Sequence, residues 1–334
     1  MRLDVSLPPT SLGDVPAISA TAEEMGFDGL WSTETRKDPF LPLTLVAEHT
    51  RELHFGTAVA IAFARSPANV AQVAWELAAA SRGRFILGLG TQVKPHIERR
   101  FGMPWPESPT GKMREFILAV RAFWKSWQTD GRLNFRGEYY KLNLMTPFFN
   151  PGPIEHPDIP IYLAGVNPGL CRLGGEVADG FHIHPLHTAR YLSEVILPAI
   201  TEGANQAGRE ENSIQLSASA FIVTNPEQDA FVRSQVAFYA STPSYRRVMA
   251  LHGWDDVADE LSSLARQGEW AMMSQLIDDD MLATFAVVEN REVLAGAIKQ
   301  RYEGLVDRVT PYQAFLPGVD DVFWRALVNG WSGA

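Results

Sequence analysis

Three short segments of this sequence carry side chains that can take up or release a proton. Glu34 lies in the polar run 31–38, and His96 follows a loop that contains two glycines. His182 belongs to a group of three histidines within six residues. Carboxylate and imidazole groups are the usual acids and bases in protein sites. We therefore take Glu34, His96 and His182 as the candidate catalytic residues.

The group of three histidines also raises the question of a metal site. His182 and His184 are two residues apart, on one face of a predicted strand. The neighbouring sequence lacks the carboxylate pattern and the HExxH spacing of metal-binding helices. We predict no metal here, and a histidine at this position is better explained as a proton donor or hydrogen-bond partner.

Two loops favour a bound ligand. Residues 88–93 contain two glycines, which let the backbone approach a ligand closely. They do not match the GxGxxG dinucleotide motif, because Val93 occupies the position of its third glycine. Residues 165–167 form a small-residue turn before a predicted helix, and the free N–H groups of such a helix start attract anions.

Each of these segments also has a simpler structural explanation, which the sequence leaves open. The run 31–38 can be a solvated loop in which Asp38 caps the next helix. Residues 58–64 are small and mostly apolar, so they can form either a platform for a flat ring or ordinary core. Capping by Asn167 accounts for residues 165–167 as well as an anion does.

The elements that must position these residues alternate between strands and helices along the chain. Most predicted strands are nearly continuous apolar runs, as expected for strands covered on both faces. Eight of them favour a (β/α)8 barrel, whose active site lies at the carboxyl ends of the strands. The predicted strands are 3–7, 27–31, 54–61, 84–89, 161–164, 180–183, 214–223 and 306–313.

Two stretches depart from the alternation. Residues 129–158 contain a predicted hairpin at 133–140 that turns at Gly137, followed by a proline-rich stretch. We interpret this as an insertion on a single domain that spans 1–334. Residues 226–303 have a helical pattern almost throughout, without an evident strand between the helices.

The composition excludes several classes of function. The net charge of −10 argues against a general nucleic-acid binder. Cys171 is the only cysteine, so neither a disulfide within the chain nor a cysteine-based metal site is predicted. The sequence shows neither a signal-peptide pattern nor a run of 18 apolar residues. We expect a cytoplasmic protein that contacts no membrane.

Several motifs together resemble the luciferase-like monooxygenase superfamily, over roughly residues 1–330. Within it, residues 89–101 are most similar to the coenzyme F420-dependent oxidoreductases. The motifs are A-E-E-M-G-F-D-G-L-W at 22–31, R-S-P at 65–67, S-R-G-R-F-I-L-G-L-G-T at 81–91, P-I-Y-L-A-G at 160–165 and G-E-V-A-D-G at 175–180.

The resemblance implies roles for particular residues. A cis peptide bond that does not involve proline is expected near Ala58–Val59, where it would support the cofactor ring. The superfamily's acidic position after the second strand falls on Glu34. The cofactor phosphate is expected at the loop after the fifth strand. The implied cofactor-binding residues are Ala58, Val59, Thr91, Gly165, Val166 and Asn167.

The resemblance implies hydride transfer between F420 and a small organic substrate, but the sugar-phosphate substrate of one group of relatives is not transferred to this chain. Sugar-phosphate dehydrogenases of this branch carry Asp-His after the second strand and Glu after the fourth, whereas this chain has Glu34-Thr35 and Val93. Two alternatives stay open: an FMN-dependent monooxygenase, and a cofactor-binding barrel without catalysis. We also expect a homo-oligomer, as in relatives.

Overall fold

Parallel strands and helices alternate along the chain, as the sequence predicts. The computed structural model describes residues 1–210 and 213–332 of the 334. The strands are β1 (Arg2–Ser6), β2 (Gly29–Ser32), β3 (His54–Thr57), β4 (Ala60–Ile61), β5 (Phe85–Gly90), β6 (Phe135–Arg136), β7 (Lys141–Leu142), β8 (Ile161–Gly165), β9 (Gly180–Ile183), β10 (Gln215–Val223), β11 (Ala286–Val288) and β12 (Arg308–Pro311).

Helices follow most of these strands and pack outside them. They are α1 (Val15–Met25), α2 (Leu41–His49), α3 (Pro67–Ser81), α4 (Lys94–Arg99), α5 (Pro109–Thr129), α6 (Pro168–Val177), α7 (Ala189–Tyr191), α8 (Leu197–Gln206), α9 (Pro226–Ala240), α10 (Arg246–Leu251), α11 (Asp255–Gln267), α12 (Trp270–Met273), α13 (Asp279–Phe285), α14 (Leu294–Tyr302) and α15 (Asp321–Ser332).

Eight parallel strands close into a ring, which confirms the predicted (β/α)8 barrel. Their order is β1, β2, β3, β5, β8, β9, β10 and β12, and β12 pairs with β1 to complete the ring. The long strand β10 pairs with both β9 and β12. Since all eight strands run the same way, their carboxyl ends meet at one mouth of the barrel.

Helix α5 shows why the outer layer forms where it does. Its apolar side chains recur every three or four residues, which places them on one face of the helix. The helix packs against α3 and α6, and its buried face carries three tryptophan or phenylalanine rings in its last two turns. Ser108 begins the helix by accepting a hydrogen bond from the Gly111 N–H group at 3.1 Å.

The barrel interior opposite the mouth contains a buried ion pair. Nε and Nη2 of Arg308 donate to the two carboxylate oxygens of Asp4 at 2.8 and 2.7 Å, and both side chains are fully buried. Trp31 Nε1 donates to the same carboxylate at 2.9 Å. Burial raises the pKa of Asp4, while the guanidinium of Arg308 acts in the opposite direction. A charged pair therefore fills the barrel where most of the core is apolar.

The structure corrects two sequence-based expectations. The predicted strand 54–61 is interrupted after Thr57 and resumes as β4. Segment 226–303 does contain a strand, β11. Its three residues pair in parallel with the last three residues of β10, outside the ring of eight barrel strands. After β9 the chain enters α7 and continues through a π-helical turn at Leu192–Ile196 into α8. Three-residue elements are too short for periodicity to identify them.

The predicted hairpin forms outside the barrel sheet. Strands β6 and β7 pair antiparallel, with Phe135 opposite Leu142, so the second strand lies slightly later than expected. Gly137 donates its N–H group to the Tyr140 carbonyl oxygen at 2.8 Å, which closes the turn. Among the described helices, none combines the length and the apolar character needed to cross a bilayer.

Candidate active site

A narrow apolar shelf lies at the mouth of the barrel between β3 and β4. The peptide bond between Ala58 and Val59 is cis, at the position that the resemblance implies. Beyond it, Ala60 and Ile61 pair with the end of β5. Gly90 is required beside this shelf, because a Cβ atom there would lie 2.7 Å from Val59 Cγ2.

Glu34 fastens this shelf to the neighbouring loop. Its Oε2 atom accepts hydrogen bonds from the Ile61 N–H group at 2.7 Å and from Arg65 Nη1 at 2.6 Å. Arg65 also contacts Asp38 at 3.0 Å. The Glu34 side chain is only 6% exposed. One of its oxygens is thus committed to holding the shelf, which the sequence alone did not indicate.

His182 lies inside the barrel beneath the shelf. Its ring meets Trp31 edge-on at 4.8 Å and lies 5.1 Å from Tyr162, and Ala58 packs against the same aromatic group. Burial lowers the pKa of His182 to about 3, with the positive charge of Arg308 acting in the same direction. Its Nε2 atom is buried without a hydrogen-bond partner among the described residues. The neutral ring is therefore placed to support the shelf from below.

Close packing around His182 depends on a second glycine. A Cβ atom on Gly88 would lie 1.7 Å from the Thr57 carbonyl oxygen and 2.9 Å from His182 Nε2, so glycine is needed for the close approach of β3 and also leaves room for the imidazole. The two glycines of β5 therefore avoid different clashes: Gly88 lies below the shelf, and Gly90 lies beside it.

The loop after β8 presents an uncapped helix N-terminus to the same mouth. Asn167 occupies the capping position of α6, but its side chain makes no capping hydrogen bond. Instead, Asn167 Nδ2 donates to the Ser244 carbonyl oxygen at 3.1 Å. Helices α3, α5 and α9 have side-chain caps, for example Asn225 of α9, which accepts from the Gln228 N–H group at 2.9 Å, whereas α1 and α11 have none. In the first turn of α6, Pro168 has no N–H group, and the N–H groups of Leu170 and Cys171 donate to the Asn167 carbonyl oxygen at 3.1 and 3.2 Å. The Gly169 N–H group and the positive end of the helix dipole are left for another acceptor.

Gly165 and Val166 complete this loop in different ways. A Cβ atom on Gly165 would lie 2.6 Å from Leu170 Cβ, so glycine lets the turn close against the first turn of the helix. Val166 is buried, and its carbonyl oxygen accepts a hydrogen bond from the Tyr191 hydroxyl at 3.2 Å. The loop is held in place by these contacts.

The loop after β5 separates two of the predicted residues from His182. Thr91 Oγ1 donates to the Gln92 carbonyl oxygen at 3.0 Å, and Gln92 has a φ of 61°. His96 lies on an exposed part of α4. His96 and the buried His182 therefore face different surroundings, and the structure does not bring them together.

Sequence reasoning missed a group of aromatic residues at the mouth. His184 follows β9 and lies 4.7 Å from the Tyr239 ring and 4.5 Å from the Tyr245 ring. The Tyr239 hydroxyl is 2.6 Å from that of Tyr312, just beyond β12. The two-residue spacing from His182 places His184 inside the barrel, but nothing local indicates its tyrosine partners.

These features together fit a flat ring with a phosphate-bearing tail. The Ala58–Val59 shelf offers an apolar surface, with Gly90 removing side-chain bulk beside it. The N-terminus of α6 offers the Gly169 N–H group and a positive dipole end. This pair of features matches the chemistry of flavin and deazaflavin nucleotides.

Comparison with known proteins decides the family. The model of the luciferase-like monooxygenase family matches residues 2–308. This chain belongs to that family. An uncharacterised protein of Mycobacterium tuberculosis is 45% identical over 317 residues, which cover 93% of each chain. The 5,10-methylenetetrahydromethanopterin reductase of Methanolobus tindarius is 30% identical over 274 residues, covering 80% of this chain and 79% of the reductase.

A solved structure supports the same fold for this family member. The coenzyme F420-dependent tetrahydromethanopterin reductase of Methanopyrus kandleri superposes with a TM-score of 0.77 at 21% identity. The match covers 98% of this chain and 97% of the reductase. Membership of this family supports an oxidoreductase in general.

Proposed function

We propose that this family member is an F420-dependent oxidoreductase that transfers a hydride between the deazaflavin and a small organic substrate. The observation that carries the proposal is the shelf at Ala58–Val59 facing the same mouth as the uncapped N-terminus of α6. A ring on the shelf and a phosphate at the helix would use both features at once.

The choice of F420 over FMN is supported by the relatives rather than by the shelf. Both cofactors carry a tricyclic ring and a phosphate, so both suit these features. The structural neighbour from Methanopyrus kandleri is described as F420-dependent, and a F420-dependent glucose-6-phosphate dehydrogenase of Kineococcus radiotolerans is also similar in sequence. The match with the dehydrogenase covers only 60% of this chain.

Different residues would support the cofactor ring and bind its phosphate. When bound, the deazaflavin supplies the hydride donor or acceptor. Glu34 would keep the shelf in place through Ile61 and Arg65, and His182 would fill the space beneath it as a neutral ring. Gly165, Val166 and Asn167, with Thr91 nearby, would hold the phosphate. Neither Glu34 nor His182 needs to exchange a proton for these tasks.

Separate titrations of the purified apo protein with F420 and FMN test the proposal. We expect F420 to bind at least about tenfold more tightly than FMN, measured by fluorescence quenching or calorimetry. A preference for FMN would replace the proposal with an FMN-dependent monooxygenase. Binding of neither would remove the cofactor assignment. F420 binding without turnover across a panel of alcohols and ketones would leave a non-catalytic cofactor-binding barrel.

Three further expectations stay predictions. They are the homo-oligomeric state, the cytoplasmic location, and the organisation of 1–334 as one domain with an insertion at 129–158. His96 also stays a candidate proton donor, on an exposed part of α4 near the mouth.

A further inference from the structure

Four side chains form a cluster on one side of the mouth, which we call the mouth cluster: His184, Tyr239, Tyr245 and Tyr312. They come from the ends of β9 and β12, from α9 and from the short helix Pro243–Tyr245. The ring of His184 lies between those of Tyr239 and Tyr245. Since Asn167 donates to the Ser244 carbonyl oxygen, the segment that carries Tyr245 borders the loop after β8.

The hydrogen bonding of His184 fixes which ring nitrogen carries the proton. The Leu186 N–H group donates to His184 Nδ1 at 3.1 Å, so Nδ1 must be unprotonated. Packing away from water lowers the pKa of His184 to about 3, with the neighbouring His187 acting in the same direction. The ring is thus neutral at physiological pH, and its Nε2–H group is a donor that no protein acceptor uses among the described residues.

The tyrosines of the mouth cluster are also uncharged. The hydroxyl groups of Tyr239 and Tyr312 bond to each other at 2.6 Å, and burial raises the pKa of both. Burial likewise raises the pKa of Tyr245. The cluster therefore presents aromatic surface with a few neutral hydrogen-bonding groups, and none of its four members carries a charge at neutral pH.

Aromatic contacts continue from the mouth cluster to the protein surface. Phe231 stacks on Tyr312 at 6.3 Å, and Phe238 contacts Tyr239 at 5.5 Å. Trp270 of α12 lies 6.2 Å from Phe238. These three outer rings are 46%, 47% and 54% exposed. A line of exposed apolar rings leading into a site is typical of a ligand-binding surface.

We propose that the mouth cluster is the substrate subsite, and that it takes an uncharged, largely apolar molecule whose oxygen accepts a hydrogen bond from His184 Nε2–H. The proposal rests on the proposed function, because it gives that reaction its substrate class. An anionic substrate such as a sugar phosphate needs cationic partners, which this cluster does not offer. An aromatic or alicyclic ketone or alcohol matches both the rings and the single donor.

Binding of three small probes to the full-length protein tests this assignment without requiring turnover. The probes are acetophenone, its oxygen-free counterpart ethylbenzene, and glucose 6-phosphate. Saturation-transfer NMR measures their affinities with and without F420. We expect acetophenone to bind more tightly than ethylbenzene by about tenfold, as one hydrogen bond predicts. We expect glucose 6-phosphate to bind least.

Variants locate the probe. In His184→Leu, acetophenone affinity is expected to fall about tenfold, to that of ethylbenzene, while ethylbenzene affinity stays within a factor of two. Phe148→Ala serves as the control, because Phe148 is an 88% exposed phenylalanine on the insertion and should change neither affinity. If His184→Leu fails to fold, the ¹⁵N and ¹H resonances of His184 Nε2–H in the wild type must shift with acetophenone and not with ethylbenzene.

Several outcomes would overturn the substrate class. One is tighter binding of glucose 6-phosphate than of acetophenone. Another is an equal loss of affinity for acetophenone and for ethylbenzene in His184→Leu. The third is that neither acetophenone nor ethylbenzene binds. The probes are also measured on the cofactor-free protein. A failure of F420 binding therefore removes the proposed function while acetophenone binding still decides whether the mouth cluster is a ligand subsite.

Discussion

Replacing Asn167 by aspartate would place a negative charge at the start of α6, where we propose that the cofactor phosphate binds. Asn167 leaves this helix uncapped and donates to the Ser244 carbonyl oxygen instead. Aspartate is a favourable residue at a helix N-terminus, so the change should not unfold the protein. Any loss of cofactor affinity would then report on the electrostatics of the site.

The magnitude follows from Coulomb's law. A phosphate held at the Gly169 N–H group and the dipole end of α6 would lie roughly 6 Å from the new carboxylate. Two unit charges at that distance repel by about 0.7 kcal/mol in water and about 3 kcal/mol at an effective dielectric constant of 20. Because Asn167 is partly exposed, an intermediate value of about 1–2 kcal/mol is appropriate. This corresponds to a loss of roughly 5- to 30-fold in F420 affinity.

The assay is a titration of each variant with F420 and with the corresponding ring and sugar chain lacking the phosphate. Asn167→Ala removes the contact with Ser244 without adding charge, and Asn225→Asp adds the same charge at the start of α9. We expect the full loss only for Asn167→Asp with the phosphorylated cofactor. Equal losses in Asn167→Ala, or an equal loss for the phosphate-free compound, would refute a phosphate at this helix.

Three other perturbations have defined outcomes. Gly90→Ala inserts a Cβ atom 2.7 Å from Val59 Cγ2 in the shelf, so F420 affinity should fall by at least about tenfold. Gly296→Ala is the control, because a Cβ atom there meets nothing within 4 Å, and this variant should bind F420 normally in the same titration. Arg308→Met leaves the Asp4 carboxylate buried without its partner, so the free energy of unfolding measured in urea should fall by about 3–5 kcal/mol. Adding Asp4→Leu in the double variant should restore most of this stability. Additive losses of stability from the two substitutions would contradict this. Burial lowers the pKa of His187 from 6.5 to about 4, so the stability contributed by its neutral form is complete above pH 6.5 and is lost as the pH falls towards 4. At pH 5.5 the loss should be about 1 kcal/mol, and His187→Gln should reduce the change in urea midpoint between pH 7.5 and 5.5; an unchanged slope would refute this.

Local sequence was sufficient for the barrel and for part of the site. The alternation of apolar strands and amphipathic helices predicted all eight barrel strands, because burial on both faces imposes a composition that short windows retain. Family resemblance placed the cis peptide at Ala58–Val59 and the structure has it there. The chain order of loops after strands also placed residues 165–167 at the mouth, because parallel strands share one carboxyl end.

The partners of the functional side chains were decided only by the tertiary structure. Glu34 meets an N–H group and a guanidinium from 27 and 31 residues further along the chain. His184 contacts Tyr239, which lies more than fifty residues further along the chain, in a segment whose sequence shows only helical periodicity. Arg308 reaches Asp4 only because the last barrel strand closes on the first. Periodicity records which face of an element is buried, whereas ring closure determines which distant side chains share that buried space.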